Sequence, residues 1–280
     1  PPSYFLSRSH GFNSVHGRMP SVATGANLAN RELYCVGISG DGDSASIGLG
    51  QFAHIVRRRI NMLYVVDNNG TYGLTKGQFS ATNDKGSTSK KGKPNLYEPI
   101  DLVSMALQIG ASFVARSFSG DKRQLVPLIK AGLMHRGFAF IDVISPCVAF
   151  NNHNGSTKSY EYVRGHSESL VAADYVRGGS EITADYEPGT TEDVRMPDGS
   201  LLRLHKLDRD YDPHDRVGAL DHVQRCQAEG EVVTGLLYVD PDAADCHEIL
   251  DTVERPLNSL GEAELCPGSE ALGGINASFR

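Results

Sequence analysis

The sequence lacks the features that mark several common classes of protein. No apolar stretch approaches the roughly 20 residues that a membrane span requires, and Pro1-Pro2-Ser3 does not begin a charged-then-apolar signal peptide. No block of Lys and Arg stands out in a chain of net charge −7, which argues against a nucleic-acid or polyanion binder, because counterion release needs clustered positive charge. The one basic stretch, Lys85 to Lys93, reads as a solvated loop. Five cysteines, at 35, 147, 226, 246 and 266, form no Cys-x-x-Cys pair, and an odd count is a poor disulfide framework. A soluble cytoplasmic protein with reduced thiols is expected. No Met precedes Pro1, so the full protein is expected to begin upstream of it.

What the chain does have is apolar content, 40% of 280 residues, enough for one large domain with an extension. From about Leu33 to Ser145 a short β-branched or apolar run, a turn and an amphipathic stretch recur. Strands are expected at 33–39, 61–67, 112–116 and 138–144, and helices at 45–58, 100–109 and 122–135. Apolar strands joined by helical crossovers predict a parallel sheet covered on both faces, a doubly wound α/β domain with ligands at the carboxyl ends of its strands. The glycine-rich section from Asn69 to Asn95 has no sustained periodicity and reads as a binding loop. After Asn151, Ile182 to Tyr186 and the runs flanking Pro197-Asp198-Gly199-Ser200 read as short antiparallel strands with Asp198-Gly199 as a turn. A helix over 215–229 and a strand over 232–240 follow. The expected division is a cofactor-binding core over 1–165, the remainder of the domain over 166–240, and an arm over 241–280.

One motif carries chemistry. Gly40-Asp41-Gly42-Asp43 stands where the first strand ends and a helix begins, and Asn68-Asn69 stands where the second strand ends, with Asn69 28 residues after Asp41. Those ends lie side by side in a parallel sheet. A diphosphate there needs a divalent cation, backbone N–H donors and a helix N-terminus. Gly40 and Gly42 remove the Cβ atoms that would block close approach. Asp41 supplies an anionic oxygen and Asn69 a neutral amide oxygen, both suited to Mg²⁺, with a loop carbonyl near Thr71. Asp43 would sit near the helix start, able to cap it or to position the ligand. On its own, Gly-Asp-Gly-Asp is also a plain turn with capping aspartates. An EF-hand fails for want of a carboxylate at the twelfth loop position, and no Gly-x-Gly-x-x-Gly marks a dinucleotide site.

Gly-Asp-Gly followed by Asn-Asn resembles the signature of thiamine-diphosphate enzymes. The stretches His10 to Arg18, Pro20 to Gly25, Gly40 to Gly48, Asn68 to Gln78 and Ser145-Pro146-Cys147 resemble the β subunit of 2-oxoacid:ferredoxin oxidoreductases, closely over residues 4–165. Asp185 to Gly189 and Leu204 to Asp215 look similar to 2-oxoglutarate-specific members. The resemblance implies a thiamine-diphosphate-binding fold in which Asp41, Asn69 and the Thr71 carbonyl hold Mg²⁺. It implies cofactor contacts from Gly17, Gly40, Gly42, Asp43, Gly73, Leu74 and Thr75, and a His16 that reaches the diphosphate. By residue type alone His16 reads as a core histidine. Lys76 is a candidate to pair with a substrate or coenzyme A anion, and equally reads as a surface lysine.

The resemblance also makes Cys147 one ligand of a [4Fe–4S] cluster, although by type it reads as a buried free thiol. The three other family ligands fall upstream of Pro1. Either residues precede Pro1 or the cluster has been lost, and the first is expected because the match is already strong at the first residues. The implied reaction is oxidative decarboxylation of a 2-oxoacid, 2-oxoglutarate to succinyl-CoA and CO₂ with electrons passing to ferredoxin, or its reversal. An α subunit is implied as partner, in an α2β2 assembly. Two alternatives stay open: a non-redox thiamine-dependent decarboxylase or synthase subunit, and a regulatory partner that binds the cofactor without turnover.

Overall fold

The computed structural model describes residues 6, 8–88, 93–145, 147, 186–195, 201–208, 210–266 and 268–279. Its chain begins with helix α1 (Met19–Ala29), then β1 (Cys35–Gly40), a π-helical turn over Asp43–Ile47, α2 (Leu49–Arg57), β2 (Met62–Asn68), a small hairpin of β3 (Thr71–Tyr72) and β4 (Gln78–Phe79), α3 (Leu102–Ile109), β5 (Phe113–Phe118), α4 (Lys122–Met134) and β6 (Phe138–Ile144). Strands β7 (Thr191–Arg195) and β8 (Leu201–Lys206), helix α5 (Arg216–Ala228), strand β9 (Val232–Val239) and short helices, from α6 (Cys246–Ile249) to the terminal Gly268–Ser278, complete it.

Seven strands form one sheet in the order β1-β2-β6-β5-β9-β8-β7. The first four run parallel, as the apolar runs with helical crossovers require. Alternate side chains of each central strand enter different cores. Tyr64, Val66, Val114, Phe138 and Phe140 pack with α2, α3 and α5, whereas Leu63, Phe113, Ala115, Ala139 and Ile141 pack with Leu128 of α4. Burial on both faces is why these strands read as continuous apolar runs rather than alternating ones. At the centre of the larger core, Phe52, Tyr64, Phe138 and Phe140 meet edge to face, with ring centroids 5.1 to 6.5 Å apart.

The structure departs from the sequence expectation in three places. Helix α1 was not expected; Pro20 sits in its first turn, where a missing N–H costs nothing, and its apolar residues lie against the exposed edge strand β1. The sheet is mixed: β9 runs antiparallel to β5 and β7 antiparallel to β8. The directions of β9 and β7 are set by the path of the chain that leads into them, not by their own apolar pattern. The helix expected over 45–58 opens instead as a π-turn at Asp43–Ile47 before α2. Strands β7 and β8 pair as the expected hairpin, with Arg195 opposite Leu201, whereas the turn at 198–199 and the strand at 182–185 lie outside the described residues. The start of the expected arm is fastened to the domain: Cys246 N–H donates to the Arg59 carbonyl at 2.9 Å, and buried His247 places Nε2 3.1 Å from the Asn27 carbonyl. Among the described residues, no helix is long and apolar enough to cross a membrane.

Candidate cofactor site

The parallel register sets Gly40 beside Asp67, so the two motif segments leave the sheet at the same edge. The chain turns helical immediately after Gly40, which aims the N–H groups of that first turn at the space beyond the strand ends. The π-turn behind them is tied to the sheet from below. Ser44 Oγ lies 2.8 Å from the hydroxyl of buried Tyr64, whose pKa is pushed up to about 12 chiefly by burial. Single-turn π segments of this kind recur at functional sites.

Asp41, 1% exposed, is the hub. Its Oδ1 accepts from the Asn69 N–H at 3.3 Å, and its Oδ2 accepts from the Gly70 N–H at 3.1 Å and from the hydroxyls of Ser80 and Thr82. Oδ2 is therefore saturated, while Oδ1 keeps a lone pair. Asn69 Oδ1 accepts the Thr71 N–H at 3.0 Å, which fixes the orientation of its side-chain amide. Buried Thr71 donates its hydroxyl to the Gln78 carbonyl at 2.9 Å, which fixes the backbone of the residue whose carbonyl the sequence singles out.

Asp43 does not cap the helix. Its Oδ1 accepts the Gly17 N–H at 2.8 Å and lies 3.0 Å from His16 Nδ1, and its Oδ2 accepts from Ser39 Oγ at 2.6 Å. His16 is thereby brought to the motif as an exposed side chain, not as a core histidine. Gly17 adopts φ +74°, and a Cβ there would lie 2.9 Å from Gly48 N. The two glycines let the N-terminal segment pass against the turn that follows the motif. At Gly42 a Cβ would lie 2.6 Å from the ring of Tyr72, whose hydroxyl donates to the Gly42 carbonyl at 2.7 Å.

Gly73, Leu74, Thr75 and Lys76 form the tip between β3 and β4, closed by the Lys76 N–H to Gly73 carbonyl bond at 3.1 Å and the Gly77 N–H to Tyr72 carbonyl bond at 2.9 Å. Leu74 is 94% exposed, and Lys76 sits in the left-handed region at φ +75°. Half-buried Cys147 follows β6 on the same edge, where the Ser145 N–H donates to the Asn68 carbonyl at 2.8 Å. The geometry thus gathers Asp41, Asn69, Thr71, Gly42, Asp43, His16 and Gly17 around Gly40, and projects Gly73 to Lys76 outward from it.

Sequence reasoning missed Ser39, Tyr72, Ser80 and Thr82, and the deeper layer in which Arg116 and Asp142 hold Asn68. The signals were a run of hydroxyl residues inside the glycine-rich loop and two charges set in apolar strands, since buried charges are paired. Among the described residues no three His, Cys, Asp or Glu side chains converge to hold a metal. A hard-cation site with one carboxylate, one amide and one carbonyl does not register as such a group. The oxygen donors at Asp41 and Asn69, the helix start and the open space at Gly40, where a Cβ would meet nothing within 4 Å, fit Mg²⁺ carrying a diphosphate, whereas Gly42 makes room for the Tyr72 ring. For a four-thiolate cluster, the described residues supply no such set around Cys147.

The family described as thiamine pyrophosphate enzyme, C-terminal TPP binding domain, matches residues 1–143. Among curated relatives, the β subunit of a Sulfolobus 2-oxoacid:ferredoxin oxidoreductase is 38% identical over 154 residues, covering 55% of this chain and 50% of that protein. The 2-oxoglutarate synthase subunit KorB of Methanocaldococcus jannaschii is 34% identical over 212 residues, covering 74% of this chain and 77% of that one. A solved structure of 2-oxoglutarate:ferredoxin oxidoreductase from Magnetococcus marinus, with 2-oxoglutarate, coenzyme A and succinyl-CoA bound, superposes with a TM-score of 0.63 at 29% identity over 84% of this chain and 66% of that one. Several curated relatives are longer, and the chain spans about half their length. With a matching domain over half its length and a relative matched over most of its own, the chain belongs to the thiamine-pyrophosphate-binding β subunits of the 2-oxoacid:ferredoxin oxidoreductases.

Proposed function

We propose that this chain is the cofactor-binding half of a 2-oxoglutarate:ferredoxin oxidoreductase, forming succinyl-CoA and CO₂ from 2-oxoglutarate and coenzyme A, or running that reaction in reverse. The observation that carries the reading is the convergence of Asp41 and Asn69 at adjacent strand ends in a chain related to a 2-oxoglutarate synthase subunit over 77% of that subunit's length. Asp41, Asn69 and the Thr71 carbonyl would hold Mg²⁺, and Gly17, Gly40, Gly42, Asp43, Gly73, Leu74 and Thr75 would line the cofactor, with His16 at its diphosphate. When bound, thiamine diphosphate supplies the electron sink that decarboxylation of a 2-oxoacid needs. The chain's own task is to neutralise and orient the diphosphate end and to present Lys76 to an anionic group of the substrate.

The α subunit, in an α2β2 assembly, and ferredoxin are the proposed partners, and the cytoplasm the proposed location. A [4Fe–4S] cluster with Cys147 as one of its four ligands belongs to the reading. Residues 1–165 would form the cofactor core, 166–240 complete the domain, and 241–280 serve as the arm.

The test is reduction of a viologen dye by the full enzyme with 2-oxoglutarate, coenzyme A, Mg²⁺ and thiamine diphosphate. Dye reduction that needs all four and is lost in Asp41→Ala supports the reading. Carbon dioxide release without coenzyme A and without dye reduction overturns it in favour of a non-redox decarboxylase.

A further inference from the structure

The stretch from Gly70 to Ser80 is a closed loop, and its neck is drawn together on one carboxylate. From the outgoing strand, the Asn69 and Gly70 N–H groups reach Asp41; from the returning strand, the hydroxyls of Ser80 and Thr82 reach the same Asp41 Oδ2. The two sides also bond each other: the Ser80 N–H donates to the Gly70 carbonyl at 3.2 Å, and the Asn83 side-chain amide donates to that carbonyl at 2.8 Å. Within the returning side, Ser80 Oγ lies 2.9 Å from Thr82 Oγ1. A further bond fastens the returning side to the π-turn: the Ala81 N–H donates to Ser46 Oγ at 3.2 Å. Ser80 and Asp41 are both buried, so these bonds form in a low-dielectric setting where charge-assisted donors are strongest.

Three donors on Oδ2 and one on Oδ1 make the two oxygens unequal. A carboxylate with both oxygens open can rotate or chelate in two ways; one with Oδ2 filled can offer only Oδ1. We propose that Ser80 and Thr82 are positioning residues which clasp Asp41 Oδ2, dedicate Oδ1 to the divalent cation, and thereby couple cation binding to closure of the loop that carries Leu74, Thr75 and Lys76. The inference rests on Asp41 being a metal ligand, as in the proposed function. Its consequence is directional: a cation that draws on Asp41 tightens both ends of the loop, and loss of either hydroxyl loosens the metal ligand and the loop together.

The experiment uses Mn²⁺ as a paramagnetic probe, titrated into the full-length enzyme stripped of metal, with thiamine diphosphate present, and followed by electron paramagnetic resonance. Hydrogen exchange of the 71–79 amides is read in parallel. Thr82→Val keeps the shape and removes the donor; Thr82→Ser restores it; Ser80→Ala tests the other hydroxyl independently. Thr82→Val and Ser80→Ala are expected to weaken Mn²⁺ binding about five- to tenfold, as loss of a charge-assisted hydrogen bond implies, and to speed exchange of the loop amides, with Thr82→Ser within about twofold of the parent. Unchanged Mn²⁺ affinity and unchanged exchange in Thr82→Val overturn the clasp while leaving the cofactor site intact. Should Thr82→Val not fold, Ser80→Ala is read by the same criterion. No Mn²⁺ binding by the parent protein with thiamine diphosphate overturns the metal-ligand reading itself.

Discussion

Arg116 Nε on β5 sits 2.9 Å from Asp142 Oδ2 on β6, and both side chains are buried at the carboxyl edge of the sheet. The same guanidinium reaches Asp101, the N-cap of α3, and Asp142 Oδ1 accepts the Asn68 side-chain amide at 3.0 Å. Two acids share one base. Burial pushes the Asp142 carboxyl up by more than Arg116 lowers it, whereas at Asp101 burial is outweighed by Arg116 and by the Ser104 donors, which hold that carboxyl down. The first asparagine of the motif is thus anchored to the sheet. Arg116→Met leaves buried Asp142 and half-buried Asp101 without their cation and is expected to cost about 3–5 kcal/mol in urea unfolding. A loss under about 1 kcal/mol, typical of a surface substitution, would mean that the pair contributes little to holding the strand ends.

Gly17 tests the seam between the N-terminal segment and the motif. Alanine there meets two obstacles: a left-handed backbone that costs an L-residue about 1–2 kcal/mol, and a Cβ within 2.9 Å of the Gly48 backbone nitrogen. Backbone on both sides cannot swing aside as a side chain would. Gly17→Ala is expected to detach His16 and Gly17 from Asp43, lowering the melting temperature by several degrees and weakening thiamine diphosphate binding measured by calorimetry. Parent-like values of both would show that the segment does not seat on the motif.

Much of this architecture was legible in the sequence because it follows from burial. Strands β2 and β6 are nearly continuous apolar runs, and the helices expected over 100–109, 122–135 and 215–229 form within one or two residues of those bounds. That Asp41 and Asn69 meet was legible too, since a parallel sheet must align the ends of its neighbouring strands. What escaped is what long-range contact decides. Ser80 and Thr82 have no local pattern that points to Asp41, 39 and 41 residues away. Asp43 has the type and place of a capping residue, yet its carboxylate is taken by Gly17, His16 and Ser39, which arrive from elsewhere in the chain. The antiparallel placement of β9 depends on the path of the chain before it.

Acid should destabilise the fold through its histidines. Burial lowers the His135 pKa below 6.5, only partly opposed by Asp240, and places its Nε2 2.8 Å from Ser112 Oγ; His222 is lowered mainly by burial as well. A depressed folded value means that the unfolded chain takes up its proton first. The stabilisation is complete above the unfolded value near 6.5 and is lost as pH falls toward the folded one. The melting temperature is therefore expected to drop between about pH 7 and pH 5, and His135→Gln, which can still bond Ser112, should show a shallower drop. Equal slopes for parent and variant would remove His135 as a contributor.

Lys76 separates charge from backbone shape. It holds φ +75° at the exposed hairpin tip, a conformation that lysine adopts at a cost and glycine adopts freely. If its ammonium pairs with a carboxylate of 2-oxoglutarate or a phosphate of coenzyme A, removing the charge should raise the KM for that substrate about tenfold, the effect of losing one charge-assisted contact. Lys76→Gln removes the charge and keeps the strain, Lys76→Arg keeps both, and Lys76→Gly removes both. A binding role predicts raised KM in the glutamine and glycine variants and a near-parent KM in the arginine variant, with kcat moving less than KM in each. A role in turn shape alone predicts the opposite grouping in thermal stability, with the glycine variant at least as stable as the parent and KM unchanged throughout. Steady-state kinetics with 2-oxoglutarate and coenzyme A varied separately decide between them and identify which anion Lys76 meets.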